Sequence, residues 1–406
     1  MSSSDEKYMR YALELAAQGQ GHVEPNPMVG CVLVRENQII GHGFHQRFGG
    51  PHAEVNALDS IGSLVDSDAR STEAMKLVGP VDSSANDAVG ATAYVTLEPC
   101  SHFGKTGPCC DTLIKAKVAR VVVACRDPNP LVAGQGLKRL EEAGIEVELG
   151  VLESQARSVM APYLKRVEQS KPWIVAKWAM TMDGSIATST GDSKWISSSQ
   201  SRQLVHQLRD RVDAVMVGIG TALADDPMLN ARLNVQTTSE NQAEALPSGT
   251  FLAARSPALR VVVDSMARVE LDSKLVTTAK EIPTMIAVGP DADPLKLEKL
   301  VSLGCTLFSH PSRDHNERLE ALLTRLAEQQ ITNVLVEGGG KLLGSLHDLN
   351  QIDEVHCFLG PKIVGGTGAS PVQGSGLDLI KDSTQLSIQA VQQVQDDVYI
   401  VARRAR

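Results

Sequence analysis

The chain has 406 residues, 42% hydrophobic and 21% charged, with a formal net charge of −9. That length exceeds one ordinary core, so two or three domains are expected, and the acidic balance argues against a general nucleic-acid binder. No apolar run reaches the roughly 20 residues that span a bilayer, and residues 1–6 lack the basic and apolar regions of a signal peptide, so a cytoplasmic protein with no membrane partner is expected. In a reducing compartment the seven cysteines suggest metal ligands and buried thiols, not a disulfide framework.

In chain order, a helix is expected over 5–18, where Tyr8, Ala12 and Leu15 recur at helical spacing. Glu24-Pro25-Asn26-Pro27 is a turn into an apolar strand at 29–34, paired as a hairpin with 39–44. Pro51 opens a helix that carries His52 and Glu54 near its start. Residues 60–90, rich in Ser, Asp, Ala and Gly, read as a surface insertion. A strand at 93–97 delivers Cys100; then come a helix at 111–117, a strand at 120–125, a helix at 137–143 and a strand at 145–149. This alternation argues for an α/β layer fold. A helix at 153–168 bridges to a second domain, with strands at 174–180, 214–217, 260–264 and 284–288, helices at 199–209 and 318–329, and a polar loop at 234–258. The strand at 333–337 runs into Gly338-Gly339-Gly340 and a helix at 341–349, and 355–359 and 398–401 are late strands.

Two stretches carry chemistry in the first half: Gly50-Pro51-His52-Ala53-Glu54 and Glu98-Pro99-Cys100 with Cys109. One imidazole and two thiolates suit zinc, and three protein ligands leave a fourth position for water. Zinc nucleobase deaminases use this set plus a glutamate that is not a ligand but moves protons, the part open to Glu54. Taken singly, His52 is a helix-start residue and each cysteine an ordinary thiol; the constellation is what favours chemistry. Cys109 is the expected second thiolate, but Cys110 adjoins it, and His45 and His102 are alternative ligands.

The second half offers a dinucleotide signal. Glycines after a strand let the backbone approach a phosphate, and a helix start welcomes the anion. A plain strand-to-helix turn explains the same residues equally well. Gly340-Lys341 is not a P-loop, since no Ser or Thr follows, and Val217-Gly218-Ile219-Gly220-Thr221 is half a Rossmann fingerprint.

The two cysteines are separated by eight residues, where the usual deaminase signature has two. This loop, Pro99-Cys100-Ser101-His102-Phe103-Gly104-Lys105-Thr106-Gly107-Pro108-Cys109, resembles the bifunctional pyrimidine deaminase/reductase family of riboflavin biosynthesis. So do Asn26-Pro27-Met28-Val29-Gly30 and Asp127-Pro128-Asn129-Pro130 and, further on, Lys177-Trp178-Ala179-Met180-Thr181-Met182-Asp183-Gly184, Lys194-Trp195-Ile196-Ser197 and Gly218-Ile219-Gly220-Thr221-Ala222-Leu223-Ala224-Asp225-Asp226-Pro227.

The resemblance implies a cytidine-deaminase-like αβα zinc domain (1–150), a helical linker (151–171) and a dihydrofolate-reductase-like domain (172–406). It implies one zinc ion and NADPH. The implied substrate is a diamino-pyrimidinone carrying a ribosylamino 5′-phosphate. Water attacks the ring carbon bearing the 2-amino group and ammonia leaves; hydride then converts ribosyl to ribityl. His52, Cys100 and Cys109 are the implied ligands and Glu54 the proton shuttle, with Asn26, Lys105 and Thr106 touching this first substrate. Ala179, Trp195, Thr221, Asp225, Ser265, Gly339, Gly340, Lys341, Leu342, Leu343, Gly344 and Ser345 touch NADPH. Ser193, Arg209, Leu229, Arg232 and Glu337 touch the second substrate, the arginines as phosphate clamps, although a helix-face charge or ion pair is their plain alternative. Asp225, or its neighbour Asp226, assists the proton that accompanies reduction, with Lys177 in the same polar cluster. The family implies a homo-oligomer. Two rival readings are a nucleic-acid-editing deaminase, which the acidic balance disfavours, and a zinc-stabilised binding protein, in which Glu54→Gln changes nothing.

Overall fold

The computed structural model describes residues 3–63, 87–102, 107–130, 132–232 and 256–405. Among these, the internal contacts divide into two units, 3–169 and 170–405. Most of the expected insertion at 60–90 and of the polar loop at 234–258, with Lys105 and Thr106, lies outside the described residues.

In the first unit, helix α1 (Ser3–Ala17) lies on the start of strand β1 (Gly30–Arg35). The approach is so close that a Cβ on Gly30 would stand 1.9 Å from the Ala12 carbonyl oxygen. Strand β1 turns into β2 (Gln38–Phe44) through Glu36 and Asn37, both left-handed (φ 51° and 61°), as a tight hairpin requires. Helix α2 (Ala53–Asp59), β3 (Thr92–Val95), α3 (Cys109–Lys115), β4 (Arg120–Val123), α4 (Gln135–Glu142) and β5 (Glu146–Leu149) follow. The strand order is β2-β1-β3-β4-β5, with β3, β4 and β5 parallel.

Alternation along the strands separates two cores, because successive side chains face opposite ways. Cys31 and Leu33 of β1 join Ala93, Val95, Val121 and Val123 under α2, α3 and α4. Val32 and Val34 join Tyr94 and Val122 on the face covered by α1. The result is the expected αβα sandwich. One boundary differs. Helices α5 (Glu153–Val159) and α6 (Ala161–Gln169) were expected as a linker, but Ala156, Met160, Tyr163 and Leu164 are buried in the α1 core. Their apolar side chains make them part of the first unit's outer layer.

The second unit is built on a nine-stranded sheet in the order β10-β9-β8-β7-β11-β6-β12-β14-β13. Its elements are β6 (Trp173–Thr181), α7 (Ser199–Arg211), β7 (Ala214–Gly218), α8 (Ile219–Asp225), β8 (Leu259–Val263), α9 (Lys274–Thr277), β9 (Thr284–Val288), α10 (Pro294–Ser302), β10 (Thr306–Ser309), α11 (His315–Glu328), β11 (Asn333–Glu337), α12 (Gly340–Asp348), β12 (Ile352–Gly360), β13 (Leu386–Val394) and β14 (Asp397–Arg404). Strands β10 to β12 run parallel, and β14 and β13 complete the sheet antiparallel. Helices α8, α9 and α10 and strands β10 and β13 had no counterpart in the sequence reading. Strand β13 is an edge strand with mostly exposed residues, so it lacks a buried face to betray it. No helix among the described residues is long and apolar enough to cross a membrane.

Candidate functional site

Three side chains converge in the first unit. His52 is the N-cap of α2, Cys100 follows β3, and Cys109 is the first residue of α3. Their ligand atoms lie within 4.8 Å of one another. His52 Nδ1 is 3.2 Å from Cys109 Sγ and 3.6 Å from Cys100 Sγ.

The Cys100 turn is held by Glu98. Its buried carboxylate accepts the backbone N–H groups of Gly134 and Gly136, both at 3.0 Å, and more distantly those of Asp127 and Leu137. Gly136 is needed there, since a Cβ would fall 2.0 Å from the Pro99 carbonyl oxygen. Sequence reasoning missed this anchor, although Glu98 adjoins the Pro99-Cys100 pair.

Adjacent residues on a helix start point in different directions, and this separates the two cysteines. The backbone N–H of Cys109 donates to Cys100 Sγ at 3.3 Å, on the His52 side. The Cys110 thiol donates to the Cys100 carbonyl at 2.7 Å and is buried in the apolar core. The other alternative ligands stand apart. His45 Nδ1 donates to the Pro51 carbonyl at 2.9 Å, which leaves Nε2 to accept from Asn26 Nδ2 at 3.2 Å. His102 is exposed and outside the cluster.

The electrostatics favour a cation. Hydrogen bonds from the Cys109 thiol, with His52 beside it, hold the Cys100 thiol well below its ordinary value, and the same shared proton pushes Cys109 up. The hydrogen bond with Cys100 raises His52. Metal binding would displace these protons, as thiolate ligation requires. Glu54 is only 3% exposed, and burial pushes its carboxyl up. An imidazole and two thiols fit zinc, and the cluster can hold it.

In the second unit, the carboxyl ends of β6, β7, β8 and β11 open into a cleft of about 910 Å³, the usual ligand crevice of an open parallel sheet. Ala179, Ser193, Trp195, Thr221, Asp225, Ser265, Gly339, Gly340, Lys341 and Leu342 line it. Gly338 and Gly339 take left-handed backbone (φ 61° and 73°) beside Thr221 Oγ1, a bend that suits glycine. The volume and the glycine turn at the start of α12 fit a dinucleotide. Asp225 faces the cleft and pairs with Lys194 at 3.3 Å, whereas Asp226 binds the backbone N–H and Nζ of Lys274.

Seven expected contacts do not line this cleft. From Gly340 the chain is helical, so only the first turn of α12 faces it. Leu343 is fully buried, Gly344 lies against the Gln373 backbone, and the Ser345 hydroxyl donates to the Lys341 carbonyl. Arg209 is not a free phosphate clamp. Its guanidinium makes a two-point pair with Glu337 at 2.5 and 3.0 Å and donates to the Asn230 carbonyl. Leu229 is buried, and Arg232 lies near His206. Lys177 does line the cleft, opposite Glu337 in the β6–β11 register, and burial lowers its ammonium. Arg268 and His315 also line it, and neither was anticipated. The signal was present in Arg268, a cation five residues past the end of β8.

A thiol–imidazole metal cluster on an αβα layer and a dinucleotide-sized cleft on a separate parallel sheet define a zinc-dependent deaminase joined to a reductase. Comparison with known proteins agrees. Residues 2–125 match the "cytidine and deoxycytidylate deaminase zinc-binding region" and residues 172–400 the "RibD C-terminal domain". The chain is 38% identical to the riboflavin biosynthesis protein RibD of Actinobacillus pleuropneumoniae, over 98% of this chain and 94% of that one. It is also 38% identical to that of Escherichia coli K12, over 97% and 98%. Among solved structures, Acinetobacter baumannii RibD (form 1) superposes with TM-score 0.78 at 33% identity, covering 99% of both chains. The Thermotoga maritima diaminohydroxyphosphoribosylaminopyrimidine deaminase/5-amino-6-(5-phosphoribosylamino)uracil reductase gives 0.74 at 32%, also covering 99% of both.

The chain belongs to the RibD family of bifunctional riboflavin-biosynthesis enzymes. It deaminates a pyrimidine ribosyl phosphate with zinc and reduces the product's ribosyl group with NADPH.

Proposed function

We propose that residues 1–150, with the two helices that follow, perform the deamination and residues 172–406 the reduction, with the residue roles below. The observation that carries the first assignment is the convergence of His52 Nδ1, Cys100 Sγ and Cys109 Sγ beside a buried Glu54. Zinc held by these three supplies the Lewis acidity that makes water a nucleophile at neutral pH. Glu54 carries the proton from that water to the departing amine. Asn26 is oriented by His45: its amide nitrogen donates to His45 Nε2, which leaves its carbonyl oxygen to accept from the pyrimidine. Lys105 and Thr106 contribute phosphate contacts.

In the second unit, NADPH bound in the cleft would supply the hydride that the sugar C1′ takes up. Gly339, Gly340, Lys341, Thr221 and Trp195 hold it along the cleft, with Ser193 on the substrate side. Asp225, the carboxylate of its pair that faces the cleft, is assigned the accompanying proton. Arg209 and Glu337 act through their mutual pair beside Lys177.

Zinc content tests the ligand set. One zinc per chain is expected in the wild type, none in Cys109→Ser and a full complement in Cys110→Ser, with NADPH-dependent reduction intact in all three as the check on folding. Loss at Cys110 alone would sink the assignment.

Self-association is part of the proposal. Edge strand β13 leaves Leu386, Ile388 and Val391 exposed, the last two by 64% and 59%, and an unpaired edge invites a second copy. Light scattering should show a dimer or larger in the wild type and a smaller species in Ile388→Lys/Val391→Lys. A wild-type monomer at micromolar concentration ends this part. The location proposed is the cytoplasm, supported by seven free thiols.

A further inference from the structure

We infer that Tyr163 and Arg166, on α6, are positioning residues for the deaminase: they hold two proline-flanked asparagines, Asn26 and Asn129, beside the zinc cluster. The inference deepens the deaminase assignment and rests on the reading that Asn26 meets the pyrimidine.

The sequence carries the same three residues twice, as Pro25-Asn26-Pro27 and Pro128-Asn129-Pro130. The following proline keeps each asparagine out of helical backbone, so both sit in turns. The two turns are far apart in the chain, yet both come close to the metal ligands. Asn26 Nδ2 donates to His45 Nε2 at 3.2 Å, and the His45 ring meets the His52 ring edge-on, with centroids 5.3 Å apart. Asn129 follows Asp127, whose N–H reaches the Glu98 carboxylate at 3.4 Å, and Glu98 stands just before Pro99-Cys100. Both asparagines are half-buried, so a ligand can reach them.

One helix reaches both turns. Arg166 Nη2 donates to the Pro25 carbonyl at 3.0 Å and so fixes the backbone immediately before Asn26. The Tyr163 hydroxyl donates to Asp127 Oδ1 at 3.0 Å and is itself hydrogen-bonded by the Asn129 side chain. The same carboxylate oxygen accepts the Asn129 backbone N–H at 2.9 Å. Asn129 is therefore held at main chain and side chain together. Residues three apart on a helix share a face, and the Arg166 guanidinium lies over the Tyr163 ring at 5.8 Å. Tyr163 is 6% exposed, and burial with the Asp127 charge pushes its phenol up, so it stays a donor at neutral pH.

Neither side chain belongs to the metal cluster. Nor does the seat of the helix need these bonds: Leu164, Val167 and the Tyr163 ring already pack it into the α1 core. Phenylalanine would fill the Tyr163 space, and the hydroxyl adds the grip on the turn. An asparagine that binds substrate equally in the ground state and the transition state sets KM and not kcat. Loosening its turn therefore raises KM and spares the chemical step, which stays with the zinc cluster and Glu54.

The test follows ammonia release by the full chain at varied pyrimidine substrate, with zinc content and NADPH-dependent reduction measured alongside. Tyr163→Phe and Arg166→Leu are each expected to raise the deaminase KM by about 5- to 20-fold with kcat within about twofold, zinc retained and reduction unchanged. Arg166→Lys keeps a donor for the Pro25 carbonyl and should recover part of the loss. Two controls separate the causes. Leu164→Ala loosens the helix in the core without touching either turn; it should lower the melting temperature and leave KM at the wild-type value. Asn26→Ala should raise KM at least as far as Arg166→Leu does. An unchanged KM in Tyr163→Phe and Arg166→Leu, while Asn26→Ala raises it, overturns the positioning role and leaves Asn26 at the substrate. An equal rise in Leu164→Ala overturns it too, because helix packing alone would then set the site. So does loss of zinc in Tyr163→Phe or Arg166→Leu, which would make the helix a strut for the cluster. An unchanged KM in Asn26→Ala overturns the reading of Asn26, and the role of Arg166 with it.

Discussion

Glu54→Gln should release ammonia about 10²- to 10⁴-fold more slowly than the wild type, the range that a positioned acid–base group contributes. It should keep its zinc, and it should reduce supplied deaminated intermediate at the wild-type rate. The reasons lie in the geometry. Glu54 is the second residue of α2, two positions after His52, and is 3% exposed. Burial pushes its carboxyl up, which suits a group that must both take and give a proton near neutrality. Glutamine keeps the volume and the hydrogen-bonding reach but cannot exchange a proton. The metal cluster does not use Glu54, so zinc analysis separates loss of chemistry from loss of the site. Reduction in the other unit reports on folding. An active, zinc-loaded Glu54→Gln enzyme would remove Glu54 from the mechanism and favour a binding role for the zinc unit. A zinc-free variant would mean instead that Glu54 shapes the cluster.

What could be read in advance was mostly local. The β1–β2 hairpin shows in an apolar run, a two-residue turn and a second run; the metal set shows because its ligand types are rare in combination. What stayed hidden depended on direction or on distance along the chain. Cys109 and Cys110 are neighbours in sequence, and only the rotation of α3 sends one toward His52 and the other into the core. Leu343, Gly344 and Ser345 follow a glycine run that looks like a phosphate loop, but the helix begins at Gly340 and carries them away from the cleft. Glu98 meets the backbone of Gly134 and Gly136 across more than thirty residues, and Arg318 meets Ser265 across 53. No spacing rule joins such partners. Strand β13 escaped notice because an edge strand of mixed polar and apolar residues without strict alternation has no buried face.

The Arg209–Glu337 pair is the other place where one substitution should have a large effect, and here structure and chemistry must be separated. The two residues are 128 positions apart, and their side chains are 12% and 10% exposed. Burial alone would push the Glu337 carboxyl up; the Arg209 charge and its two hydrogen bonds outweigh that and hold it below the ordinary range. Arg209→Leu therefore strands a buried carboxylate with Lys177 and His206 left to answer it, and should destabilise the second unit by about 3–5 kcal/mol, the usual cost of breaking a buried pair from one side. Arg209→Leu/Glu337→Leu removes both charges together. Most of the lost stability should return, since apolar replacement of a whole buried pair is close to neutral. Reduction should not return with it, because Lys177 at the cleft loses the carboxylate that faces it across β6 and β11. Urea unfolding and NADPH oxidation, measured on both variants, decide the matter. If the double variant regains stability and reduction together, the pair is only a strut between α7 and β11. If stability returns and reduction does not, the pair belongs to the reductase site, although neither side chain lines the cleft.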